Sequence, residues 1–240
     1  MIKKIYDALP LVYPSDNVIN GRINAYYRAY GTGYDFCTFY EGNNILALYY
    51  GGELYVHCGN SDKTDKESIL TFADILGAAA VMSDIKLSEK SEELYIMTSD
   101  KAKTARCNNH MKAEFTEDYR TVFEILKSGF SLGEDQFDNW YADTCHRVRH
   151  GVSKLIVMYS DNIPAATATV LYSDSNNCFL SHIAVRRDMQ KSGIGKALLY
   201  SMAPLLDNRK ITLACKKTVQ QFYINCGFTE TGTAYEIKRG

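Results

Sequence analysis

The sequence has no apolar run that could span a bilayer. Its longest, residues 75–82, falls far short of the ~20 residues a membrane helix needs. Lys3 and Lys4 stand near the start, but Asp7 and Pro10 interrupt any apolar segment behind them, so no secretory leader is expected. There is no Cys-x-x-Cys pair and no N-glycosylation sequon, and the cysteines number seven, an odd count. This pattern argues against a disulfide framework and for a reducing compartment in which thiols act as small buried hydrophobes. An excess of one charge is also missing. The net charge of −1 offers no field to draw the chain to nucleic acid or a lipid surface. The expectation is a cytoplasmic protein with neither nucleic acid nor membrane among its partners.

What is present is a core-forming composition. The chain has 240 residues, 46% of them apolar, enough for one large or two modest domains. Up to residue 110 there are 11 basic and 14 acidic residues, against 16 and 14 beyond it, giving −3 and +2. The more basic second part suits a phosphate-bearing ligand.

One stretch of that second part carries chemistry. An apolar strand ending in Ile183-Ala184-Val185 runs through Arg186 and Arg187 into Gln190-Lys191-Ser192-Gly193-Ile194-Gly195-Lys196, which opens an amphipathic helix. At a helix start the first backbone N–H groups lack partners and the peptide dipoles sum to partial positive charge, so a phosphate is bound by main chain. Glycines let the backbone approach, and Arg186, Arg187, Lys191 and Lys196 add cationic partners. Two nucleotide motifs fail on spacing. A Walker loop would need glycine at Gln190 and a hydroxyl residue at Ala197, while a dinucleotide fingerprint would need a small residue at Leu198.

The remaining Gln-x-x-Gly-x-Gly after a strand resembles the acyl-CoA-dependent N-acyltransferases of the GNAT superfamily. A second block lies at the matching distance. Residues 211–215 alternate as a strand and residues 218–226 read as a helix closed by Gly227, with Phe222-Tyr223-x-x-x-Gly227-Phe228 similar to the family's final signature. Residues 118–126 and 135–150 read as helices, with Thr116 or Glu117 as the first cap, and residues 154–159, 165–172 and 178–185 as strands. That order matches the family between about residue 112 and residue 240. The expected fold is α/β of the α+β type, a mixed and mostly antiparallel sheet flanked by helices, with the GNAT domain at 111–240.

Residues 1–110 read as a smaller α/β domain. Residues 35–40, 45–50 and 53–58 look like strands joined by hairpin chemistry at Glu41-Gly42-Asn43-Asn44 and Gly51-Gly52; residues 65–81 read as a helix and 93–98 as a strand. This repeats the central order of the second part without its glycine loop. It suggests a degenerate GNAT-like repeat that has lost cofactor binding, or else an unrelated α/β cap.

The resemblance implies acetyl-CoA as co-substrate and no metal. It implies that the backbone of Ile183, Ala184 and Val185 meets the thioester and the pantetheine, that Gln190, Lys191, Ser192, Gly193, Ile194, Gly195 and Lys196 wrap the pyrophosphate, and that Tyr223 protonates the departing thiolate. The acceptor would be a primary amine of a small molecule or peptide, attacking directly in a ternary complex; homodimerisation is left open. Relatives place their general base at positions mapping to Phe179 and Ser181, neither of which can serve. His182 is next door, facing away by strand parity unless a β-bulge turns it inward. His182 is therefore the candidate base, a water chain the substitute. The missing base keeps a second reading open, a non-catalytic CoA-binding or ligand-sensing module.

Other groupings carry less. His146 and His150 share a helix face without the glutamate of a zinc protease motif, beside Arg147 and Arg149, and read as a solvated face. Gly31-Thr32-Gly33 reads as a turn. The tyrosines at 26, 27, 30, 34, 49, 50 and 55 read as packing rather than as an acceptor cleft. Acceptor choice is expected in residues 131–151, with the first domain as a second candidate.

Overall fold

Hairpin chemistry builds the first strands. In the computed structural model, which describes residues 1–9, 17–59, 61–99 and 110–239, β2 (Cys37–Gly42), β3 (Ile45–Tyr50) and β4 (Glu53–Cys58) are consecutive antiparallel strands. Asn44 at φ 58°, and Gly51 and Gly52 at 59° and 78°, supply the left-handed residues that tight hairpins demand. β1 (Lys3–Lys4) pairs antiparallel with β2, and α1 (Val18–Tyr30) lies between them in the chain. Asn17 caps α1 by accepting from the Ile19 amide at 2.8 Å.

The helix expected over 65–81 is shorter than its composition suggests. α2 spans Lys66–Leu76, capped by Asp65 and ended by Gly77 in the left-handed conformation at φ 64°. Residues beyond it turn into β5 (Ala80–Ser83), which pairs parallel with β4 and antiparallel with the last strand, β12 (Thr229–Lys238). Alanine's helix propensity is a weak preference, and two flanking ladders override it. Ile45, Ala47, Leu54, Val56, Ile69, Ala73, Val81 and Ile237 form one buried cluster over this sheet, each large aliphatic side chain contributing about 1.5–3 kcal/mol.

Two compact units result: Met1–Ile96 with Ala214–Gln220 and Glu230–Gly240, and Met97–Leu213 with Gln221–Thr229. The chain leaves the first along β6 (Glu92–Ser99). The boundary expected at 110 and 111 adjoins residues 100–109, which lie outside the described residues.

The second unit begins with β7 (Met111–Thr116), unforeseen in the sequence, followed by α3 (Tyr119–Phe130). Asp118, rather than Thr116 or Glu117, caps α3 and accepts from the Thr121 amide at 3.0 Å. α4 (Phe137–Arg149) returns, and β8 (Lys154–Ser160), β9 (Ile163–Ser173) and β10 (Asn177–Val185) follow as an antiparallel meander on β7. α5 (Ile194–Leu205), β11 (Lys210–Cys215) and α6 (Lys217–Asn225) follow in the chain, with β11 parallel to β10. Val122, Ile125 and Leu126 of α3 bury their apolar stripe on Leu155, Val157 and Ala184. The sheet of each unit is thus mixed and mostly antiparallel, as expected.

Candidate active site

The site is built where β10 stops behaving as a regular strand. Among the described residues its parallel ladder to β11 runs through Asn177, Cys178 and Phe179, and residues 180–185 extend past the end of that ladder. On the other side the register with β9 slips: Ser181 faces Thr169 and Ala184 faces Thr167. His182 and Ile183 together oppose a single residue, the definition of a β-bulge. His182 takes φ 48°, a left-handed conformation costing a non-glycine residue about 1–3 kcal/mol. The bulge the sequence reading required is present, and it leaves His182 exposed, with Nδ1 at 3.1 Å from the Ser181 hydroxyl.

Beyond the bulge the chain is tied down at each step. The Arg186 amide donates to the Ala165 carbonyl at 2.9 Å, and the Arg187 amide to the Ser128 hydroxyl at 3.0 Å. The Gln190 side-chain amide reaches back to the Val185 carbonyl at 3.2 Å, and the Ser192 hydroxyl to the Met189 carbonyl at 2.5 Å. Lys191 at φ 61° and Gly193 at φ 86° then turn the backbone into α5.

Gly193 is the N-cap of α5 and brings no side-chain acceptor to it. The first intrahelical bond runs from Ala197 N to the Gly193 carbonyl at 3.0 Å, so the amides of Ile194, Gly195 and Lys196 precede the ladder. Lys191, Ser192, Gly193 and Lys196 are exposed. Arg186 pairs with Asp188 at 2.8 Å, and the Arg187 guanidinium contacts the Ser131 hydroxyl. A turn rich in free main-chain donors, ringed by cations and left uncapped, suits a pyrophosphate.

Phe222, the neighbour of Tyr223 on α6, comes to the same place. A Cβ on Gly195 would lie 3.3 Å from the Phe222 ring and 3.3 Å from Val185 Cγ2, so the start of α5, the end of β10 and α6 meet around that glycine. Tyr223 is 8% exposed, its ring packed at 5.2 Å from Phe222 and 5.7 Å from Phe228. The structure thus brings Val185, Gly195 and Phe222 together where β10 runs into the glycine turn.

Three contributors were not foreseen. Ser128 and Ser131 hold Arg187, and Gly129 lets α3 touch the bulge, since a Cβ there would come within 2.9 Å of Ala184 Cβ and 3.2 Å of the Val185 carbonyl. The small pair Ser128-Gly129 at a helix end was the available signal. A cavity of about 390 Å³ opens beside Ser128, Pro164 and Arg186. Another of about 400 Å³ lies between Phe115 and Lys154 and is lined by none of the expected cofactor-binding residues.

The other groupings fall into place. The His146 and His150 rings lie 4.4 Å apart, tilted by 34°; among the described residues no group of three or more His, Cys, Asp or Glu side chains could hold a metal. Gly31 and Thr32 form a turn after α1, and Tyr26, Tyr30, Tyr34, Phe36 and Tyr50 pack on one another at 4.6–6.3 Å within the first unit. No helix among the described residues is long and apolar enough to cross a membrane.

No curated protein matches the chain in sequence. Solved structures share its fold at low identity. A GCN5-related N-acetyltransferase from Kribbella flavida superposes with a TM-score of 0.64 at 9% identity, over 93% of this chain and 95% of that one. One from Sphaerobacter thermophilus gives 0.55 at 14%, over 92% and 91%. A tandem GNAT protein from the clavulanic acid biosynthesis pathway gives 0.54 at 10%, over 100% and 99%, so the likeness of fold takes in the first unit. The model of the acetyltransferase (GNAT) domain matches residues 131–239. The C-terminal part of this chain, over residues 131–239, is a GNAT acetyltransferase domain.

Proposed function

We propose that the chain is a cytoplasmic N-acetyltransferase that moves an acetyl group from acetyl-CoA to a primary amine of a small molecule or peptide. Residues 111–240 carry the chemistry. The observation that supports this reading is the coincidence of three features: the β10–β11 ladder that ends at Phe179, the glycine turn at Gly193 without a side-chain cap, and Phe222 of α6 against Gly195 and Val185, with Tyr223 packed on Phe222.

Acetyl-CoA supplies a thioester carbonyl with a good leaving group. The amides of Ile194, Gly195 and Lys196 bind its pyrophosphate, with Lys191 and Lys196 balancing charge. The free edge of residues 183–185 holds the pantetheine as an added strand and offers an N–H to the carbonyl oxygen as negative charge builds there. His182, with Ser181 at 3.1 Å from its Nδ1, takes the proton from the amine so that its lone pair attacks. The carbon–sulfur bond then breaks, and the Tyr223 hydroxyl donates its proton to the thiolate. Strained backbone concentrates at functional positions, and His182 at φ 48° is such a position.

The test is thiol release from acetyl-CoA over a panel of amines, antibiotics and peptides. Turnover is expected, reduced tenfold or more in Tyr223→Phe and His182→Ala with acetyl-CoA affinity unchanged. Wild-type rate and pH profile in His182→Ala would remove that residue from the mechanism. Phe179 and Ser181 at the positions where relatives place a base favour one rival, a CoA-binding sensor. Binding without release across the whole panel would establish it.

A further inference from the structure

The two units repeat one strand order. In the first, β1, β2, β3 and β4 are successive antiparallel neighbours and β5 joins β4 in parallel after a helix. In the second, β7, β8, β9 and β10 are antiparallel neighbours and β11 joins β10 in parallel after a helix. Each unit therefore has two corresponding places: the strand pair beside which a pantetheine would lie, and the helix start beneath a pyrophosphate. The second unit leaves both open, whereas the first fills both with its own carboxylates.

The helix start comes first. Between β4 and α2 there is no Gly-x-Gly, and Asp65 caps α2. One of its oxygens accepts from the Ser68 amide at 3.1 Å, the other from the Ser68 hydroxyl at 2.5 Å. The Ser68 hydroxyl and amide hold this carboxyl below its usual range, so it stays charged. An anionic side chain thus stands at the start of α2 and takes one of its first amide donors, where α5 has only Gly193, and it would repel a second anion.

The strand pair differs in the same way. β4 and β5 stay in register from Glu53↔Ala80 through Val56↔Ser83, and Asp84 continues the closure where β10 and β11 have parted. Asp84 Oδ1 accepts from the Cys58 amide at 2.9 Å, and Oδ2 accepts from Asn17 Nδ2 at 2.9 Å and contacts His57 Nδ1. The main-chain donor at the end of β4 is consumed, and the start of α1 is fastened to it through Asn17.

We infer that the first unit is a copy of the cofactor-binding core sealed by Asp65 and Asp84, so that the chain takes up one acetyl-CoA, in the second unit alone. This rests on the proposed cofactor, and the two ideas fail differently. Calorimetric titration of acetyl-CoA into the full chain is expected to give one site per chain, and none after Gly193→Trp. Two sites, or a residual site in Gly193→Trp, would overturn the sealing; no binding to wild type would overturn the proposed function. Hydrogen exchange covers the case of a misfolded variant. Acetyl-CoA should protect amides in residues 183–197 of wild type and leave 57–68 unchanged, and protection at 57–68 would equally end the idea. Asp84→Ala should lower the melting temperature while keeping one site and an affinity within threefold of wild type.

Discussion

Arg147 and Asp143, one turn apart on α4, form a two-pronged ion pair inside the second unit. Arg147 Nη2 lies 2.8 Å and Nε 3.1 Å from Asp143 Oδ2, while the arginine is 1% exposed. Its remaining donors go to Ser153 Oγ at 2.6 Å and Thr144 Oγ1 at 3.3 Å, and the Ser153 hydroxyl passes on to the Leu171 carbonyl at 2.7 Å. The pair thus locks α4 onto the strands that support β10. Removing one partner leaves a buried charge uncompensated, which costs about 3–5 kcal/mol. Asp143→Ala is expected to lower unfolding free energy by about that much in urea titrations. Replacing both partners by apolar residues, Asp143→Leu with Arg147→Met, leaves no buried charge alone and should cost less.

Gly129 is where α3 approaches the bulge most closely. An added methyl would press on Ala184 and the Val185 carbonyl, and overpacking of this kind costs about 1–3 kcal/mol. Gly129→Ala should weaken acetyl-CoA binding tenfold or more, because the displaced backbone is the edge proposed to hold the pantetheine. Calorimetry of the folded variant checks this; unchanged affinity would separate α3 from cofactor binding.

The chain should lose stability in alkali. Burial pushes the Cys58 thiol up to about 12 and Cys215 to about 11 from an ordinary 9.0. Burial and then the Cys145 thiol push the Tyr119 hydroxyl up to about 12 from 10.0, and burial raises Tyr55 too. A group held neutral in the folded state contributes fully below its unfolded pKa and gives that contribution up as pH rises toward the folded value. The melting temperature, followed by circular dichroism, should therefore fall from about pH 9 upward and change little between pH 7 and 8. A flat profile to pH 11 would contradict the burial of these groups.

Where the sequence was legible, local chemistry and tertiary context agreed. β3 and β4 were read to the residue because each ends at the Gly51-Gly52 turn, and the presence of α5, without its bounds, because the glycine turn precedes an apolar stripe. Where they disagreed, reading failed. Ala78-Ala79-Ala80 looks helical, yet Gly77 ends α2 and β5 exists through its two ladders. α1 went unread because Gly21 and its tyrosines are poor helix formers, although Asn17 is a good cap. At the site, Gly193, Gly195 and Tyr223 were visible as a spaced pattern, and the bulge was inferred only as a requirement for His182. Gly129, Ser128 and Asp84 act through contacts distant in sequence, which no local pattern encodes.

The closing strand has a consequence for biosynthesis. Tyr235–Lys238 of β12 lie against β5 of the first unit, and that unit's residues are separated by most of the second. A ribosome that has made residues 1–110 has therefore produced a sheet with an open edge at β5, which cannot be covered until residue 238 emerges. The unit begun first is finished last. Nascent chains stalled after β11 should be protease-sensitive around β5, and a fragment ending at residue 110 should aggregate where the full chain does not.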